Sequence, residues 1–134
     1  RTLRWRLVIV VHANHPNEID ASVAAALGAL REAGATLLNQ SVLLAGVNDD
    51  ATTLAALSRA LHRAGVLPYY LHMPDAVRGT SHFAVTERTA TAIIDRLARE
   101  LPGYLVPRLA RETPGEAAKN VLAAGIRSAA PAFM

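Results

Sequence analysis

The strongest constraint on this chain is an alternation of apolar β-type runs with helical stretches that begins at its first residues. Residues 5–12 (WRLVIVVH) are a near-continuous β-branched run, which predicts a strand buried on both faces. A polar loop with Pro16 follows, and then a helix over about 20–33, with Asp20 and Ser22 as candidate N-caps and Gly34 as its stop. Residues 36–44 (TLLNQSVLL) read as the next strand, and a turn-rich GVNDD at 46–50 leads into a helix over about 51–64. In that helix Leu54, Leu57, Ala60 and Leu61 form one apolar stripe ending at Gly65. A third strand is expected at 67–73, then a long loop over 74–86, a helix over 87–101, and a short strand at 104–109 weakened by Pro107.

The order βαβαβαβ predicts parallel strands with right-handed crossovers. Both a piece of a (β/α) barrel and an open doubly wound sheet fit it. No glycine-rich phosphate fingerprint follows the first strand, which counts against a dinucleotide-binding domain. The chemically unusual residues all follow strand ends, the active-site side of a barrel, so a partial barrel is the expected fold. A strand that needs neighbours on both sides stands at the very start, and upstream barrel strands are expected to cover it.

Composition narrows the function classes. The 134 residues are 51% hydrophobic, enough for a core, and no apolar run is long and uncharged enough to span a bilayer. The start carries no secretory signal, so a cytoplasmic location is expected. The net charge of +3 is spread along the chain without a basic block, and aromatics are only 4%, which argues against a nucleic-acid partner. With no cysteine, this polypeptide holds no disulfide, zinc–thiolate or iron–sulfur ligand of its own. Among 14 basic side chains, Lys119 is the sole lysine.

Four groups of residues could carry chemistry. His12, Asn14, His15, Asn17 and Glu18 crowd the loop after the first strand and read either as ligands or as caps satisfied by backbone. Asn39, Gln40 and Ser41 interrupt an apolar strand; they either bond to a neighbouring strand's backbone or face a ligand. Tyr69, Tyr70, His72 and Asp75 lie on and after the third strand, with alternation placing Tyr70 and His72 on one face and Tyr69 and Leu71 on the other. Glu112 to Lys119 is a turn with two carboxylates and the one amine, a group able to hold an aldehyde cofactor as a Schiff base.

Taken together, HANHPNEI (12–19), LLNQSVLLAGVND (37–49), AGVLPYYLHMPD (64–75), Gly-X-X-His-Phe (79–83), GYLVPRLARE (103–112) and the lysine at 119 resemble the lysine 2,3-aminomutase family in this order. The likeness covers essentially the whole chain and is best to the branch that makes β-lysine for modifying translation elongation factor P. It implies the C-terminal part of a partial (β/α) TIM-like barrel of the radical S-adenosylmethionine type. In that division 1–110 supplies βα units and 111–134 the pyridoxal phosphate lysine and tail.

The activity implied is isomerisation of (S)-α-lysine to (R)-β-lysine. The cofactors implied are pyridoxal 5′-phosphate, S-adenosylmethionine and a [4Fe–4S] cluster whose three-cysteine motif would lie outside this chain. The segment alone is therefore expected to be inactive.

By the same resemblance Lys119 is similar to the lysine that carries pyridoxal phosphate. His72 falls beside that cofactor, in the place of a tyrosine in lysine-degrading members. His12 and Gln40 fall near S-adenosylmethionine. Asp75 and Glu112 fall where acids receive the substrate's side-chain ammonium, Glu112 replacing an aspartate. Expected partners are the lysine substrate and, indirectly, the elongation factor P modification machinery, with no nucleic acid or membrane and homo-oligomerisation left open. Two alternatives stand beside this reading: a non-catalytic barrel fragment or binding module, and a barrel metallohydrolase using His12, His15, His72 and Asp75.

Overall fold

Each helix begins on a residue whose side chain takes up an otherwise orphaned backbone N–H. The computed structural model describes residues 6–74 and 84–111, together with the backbone of 120–123. Within it Asp20 caps α1 (Ala21–Glu32), Asp50 caps α2 (Ala51–Arg63) and Thr86 caps α3 (Glu87–Glu100), each accepting from the N–H three residues on. Gly34 and Gly65 follow α1 and α2 with φ of 104° and 85°, a backbone conformation that a side chain disfavours. The caps and glycines explain why these helices start and stop where the sequence marks them.

The strands are β1 (Val8–Val11), β2 (Thr36–Val42), β3 (Val66–His72), β4 (Arg108–Arg111) and β5 (Asn120–Ala123). They form one sheet in the order β1-β2-β3-β4-β5. The first four are parallel, and β5 runs antiparallel to β4. Sequential order without a reversal has no switch point of the doubly wound kind.

Two expectations need correction. Residues 104–109 are not one strand: a 3-10 turn occupies Gly103–Leu105, and β4 starts only after Pro107, which lacks the N–H that a ladder position uses. Nor is β1 buried on both faces. It is the sheet edge, with Val8 and Val10 53% and 38% exposed, because nothing among the described residues lies over that side. In addition, β5 falls in a segment that the sequence marked only as turn and tail.

One face of the sheet is packed. Leu37, Val66, Leu71 and Leu109 join Leu54, Leu57 and Leu61 of α2 and Ile93, Ile94 and Leu97 of α3 in a single core, all nearly inaccessible. The register between β2 and β3 steps from Asn39 opposite Pro68 to Gln40 opposite Tyr70, so β3 carries one extra residue, Tyr69. That bulge is what lets Val66 and Leu71, five positions apart, share the packed face. No helix among the described residues is long and apolar enough to cross a membrane.

Candidate functional site

The polar triplet in β2 divides its work by strand alternation. Asn39, 1% exposed, points to the packed side and bonds reciprocally to Ala13: the Ala13 N–H donates to Asn39 Oδ1 at 2.9 Å, and Asn39 Nδ2 donates to the Ala13 carbonyl at 3.1 Å. Its Nδ2 also reaches Ser41 Oγ at 3.0 Å. Gln40 points the other way, and its Oε1 lies 3.1 Å from His72 Nε2 on β3. Asn39 thus realises the first possibility raised for this triplet, bonding to backbone next to the neighbouring strand with Ser41 bonded to it, whereas Gln40 pairs with a side chain of β3.

The loop after β1 is tied down by asparagines. Val42 N–H donates to Asn14 Oδ1 at 2.9 Å, and Asn48 Nδ2 donates to the carbonyls of Asn14 and Val42 at 2.8 and 2.9 Å. Asn48 Oδ1 accepts from Leu44 N–H at 2.8 Å, so this wholly buried amide is fully used. Glu18 accepts from Asn14 N–H at 2.9 Å, and His15 Nδ1 accepts from Asn17 N–H at 3.1 Å, capping a 3-10 turn at Pro16–Glu18. Among the described residues no buried side-chain nitrogen or oxygen is left without a partner. The clamping roles of Asn14 and Asn48 were not read from the sequence; Asn48 lies 34 residues from the Asn14 carbonyl it holds, and only the Gly-Val-Asn-Asp turn hinted at it.

On the uncovered face, Tyr70 and His72 stand together as alternation predicted, their ring centroids 5.6 Å apart, with the Tyr69 ring 4.2 Å from that of Tyr70. Gln40, Tyr70 and His72 are half-buried, while His12, at the end of β1, is exposed. The face therefore grades from apolar at the strand starts (Val8, Leu67) to polar and aromatic at the strand ends. At the end of β4, Arg111 Nη2 lies 3.6 Å from Met73 Sδ, and its Nη1 is 3.8 Å from Glu87 Oε1, a half-exposed ion pair worth little in energy. One carboxyl is electrostatically tuned: the Val23 backbone N–H, and then the Ser22 hydroxyl, hold Asp20 below the usual carboxylate range, which is the signature of a cap.

Of the six expected site residues, Gln40 and His72 are brought into contact, and His12 lies at the adjoining strand end. Asp75, Glu112 and Lys119 are outside the described residues. Their described neighbours Pro74, Arg111 and Asn120 lie at one end of the sheet, that of the β3 and β4 C-termini: Met73 N–H donates to the Ala110 carbonyl, and Asn120 is in register with Arg111. Of the ligand set for a hydrolytic metal, His12, His15 and His72 are described and Asp75 is not. His15 is spent as a cap, and no group of three or more His, Cys, Asp or Glu side chains among the described residues converges on one point.

The described residues thus form an α/β protein with a sequentially wound parallel sheet and polar groups gathered toward its strand ends. No protein-family model matches the chain. Curated proteins do. The chain is 51% identical over 117 residues to the L-lysine 2,3-aminomutase of Escherichia coli and 52% identical over 120 residues to that of Haemophilus influenzae, 87% and 90% of its length. It is 41% identical over 96 residues to the enzyme of Clostridium subterminale, 72% of its length. By sequence the chain belongs to the L-lysine 2,3-aminomutase family. It spans about a third of the length of the Escherichia coli and Haemophilus influenzae relatives, 34% and 36%.

Proposed function

We propose that this chain is the part of a lysine 2,3-aminomutase that carries the pyridoxal phosphate lysine and the acids that receive the substrate, within a partial (β/α) barrel of the radical S-adenosylmethionine type. The single observation behind this reading is identity of about one residue in two to enzymes of that name over nine-tenths of the chain. The parent protein would move the amino group of (S)-lysine from C2 to C3 and a hydrogen the other way, giving (R)-β-lysine, with no net oxidation. The Glu112 and His72 replacements favour the branch that supplies β-lysine for elongation factor P.

The donor set fits one of the implied groups and not another. An imidazole, two tyrosines and an amide at the strand ends suit a flat, polar heteroaromatic ring, and Lys119 supplies the amine that such an aldehyde needs. Pyridoxal phosphate, when bound, would delocalise an unpaired electron over its ring. An iron–sulfur cluster does not fit this chain, which has no cysteine, and no step is assigned to one here. His12 and Gln40 are the residues offered to S-adenosylmethionine, and Gln40's contact with His72 would put the two bound molecules side by side.

In this reading Asp75 and Glu112 accept hydrogen bonds from the substrate ammonium and so fix which end of the lysine meets the cofactor. His72 holds the cofactor ring from the side, and the half-buried strand-end face keeps water from the reacting carbons. The apolar part of the uncovered face, Val8, Val10 and Leu67, would turn inward against the barrel's remaining strands. The test is direct: the complete polypeptide, supplied with iron, sulfide, pyridoxal phosphate and S-adenosylmethionine under anaerobic conditions, is expected to form (R)-β-lysine from (S)-lysine. A fully loaded protein that forms none would overturn the reading.

A further inference from the structure

We propose that the consecutive residues Asn39 and Gln40 of β2, backed by Ser41, are positioning residues that hold the histidines of the two neighbouring strand ends, His12 and His72, from opposite faces of one strand. Backbone pairing between β1 and β2 reaches Val11 opposite Asn39. Asn39 then extends the ladder by one further rung, because its side-chain amide both accepts from the Ala13 N–H and donates to the Ala13 carbonyl. His12 is thereby held between two anchored residues, with its backbone fixed and its side chain in the open.

One residue later the chain turns its side chain over, and Gln40 Oε1 meets His72 Nε2 at 3.1 Å. A carbonyl oxygen only accepts, so this contact selects the His72 tautomer that carries its proton on Nε2. An amide and a hydroxyl in an otherwise apolar strand are costly if left without partners. Leucine or valine would build the strand as well; what the polar residues add is two histidines in a fixed relation. That these histidines face bound molecules rests on the function proposed above, whereas the positioning itself does not.

The experiment uses the complete protein labelled with 15N-histidine, with long-range 1H–15N spectra reporting each ring's tautomer. Gln40→Leu is expected to shift His72 from the Nε2–H form to a mixture while His12 stays unchanged, and Gln40→Glu, which keeps an acceptor oxygen, to restore it. Asn39→Leu, which removes the acceptor of the Ala13 N–H together with the donor to its carbonyl, is expected to lower the exchange protection of the Ala13 amide by roughly tenfold and to move the His12 signals, leaving His72 alone. Ser41→Ala, a milder change that removes only one bond to Asn39, is expected to move His12 in the same direction by less. A His72 tautomer indifferent to Gln40→Leu, or variants that disturb both histidines alike, would overturn the inference. If the tautomer responds but pyridoxal phosphate and S-adenosylmethionine bind Gln40→Leu as they bind the parent, the positioning stands and the assignment of these residues to the cofactors fails.

Discussion

The two faces of the sheet are built from the same strands and are used in opposite ways. On the helix-covered face, apolar side chains close the core, and the polar ones, Asn39 and Ser41, have all their bonding taken up internally. On the other face the apolar residues lie open at the strand starts, and the polar and aromatic ones pair sideways with each other at the strand ends. A side chain that has spent its hydrogen bonds inside the fold has none to give a ligand. The difference therefore separates residues that hold the molecule together from residues that can act.

The largest test of that contrast compares two leucines. Leu61→Ala, in the core, is expected to cost about 2–5 kcal/mol in chemical denaturation. Leu67→Ala, on the open face, should cost less than about 0.5 kcal/mol in the 134-residue chain. In the complete protein the Leu67 cost should rise toward that of Leu61, because the proposed barrel closes over it; equal small costs in both settings would count against the barrel.

Next comes Asn48→Ala, which strands the carbonyls of Asn14 and Val42 and the N–H of Leu44. About 1–3 kcal/mol should be lost, placing a buried amide alongside a buried leucine in importance. Asp50→Ala removes the α2 cap, and its effect on the urea midpoint should correspond to about 0.5–2 kcal/mol.

The smallest effect concerns acid. Because the folded state lowers the Asp20 pKa, its capping contribution is complete above the carboxyl's ordinary value of 3.8 and fades as pH falls through the lower folded value. Asp20→Asn keeps a capping oxygen but cannot titrate. Its stability should fall less steeply than the parent's below pH 3.8, and an unchanged slope would count against the cap's role.

Much of this fold is legible in the sequence because caps, glycines and helical stripes are local signals. Asp20, Gly34, Gly65 and the Leu54–Leu57–Leu61 stripe lie within a turn or two of the ends they define, and α2 and α3 fall within a residue of expectation. What escaped depends on contacts between distant residues. Nothing near Tyr69 announces a bulge whose reason is the register with β2. The run before Pro107 is apolar enough to pass for strand although its backbone turns, and Asn120–Ala123 is too short to stand out until β4 is there to pair with it.

The site was half legible for the same reason. Alternation placed Tyr70 with His72, but only the sheet brings Gln40 to that histidine from 32 residues away. The loop histidines looked alike in sequence, and geometry separates them: His15 caps a turn, while His12 is exposed.

The central claim, that this chain carries the cofactor lysine of an aminomutase, is tested most directly by reducing the pyridoxal phosphate-loaded complete protein with borohydride and mapping the modified peptide. A single pyridoxyl adduct on Lys119 is expected, lost together with the visible imine absorbance in Lys119→Ala. A stable adduct on a lysine elsewhere in the complete polypeptide, with Lys119 unmodified, would contradict it.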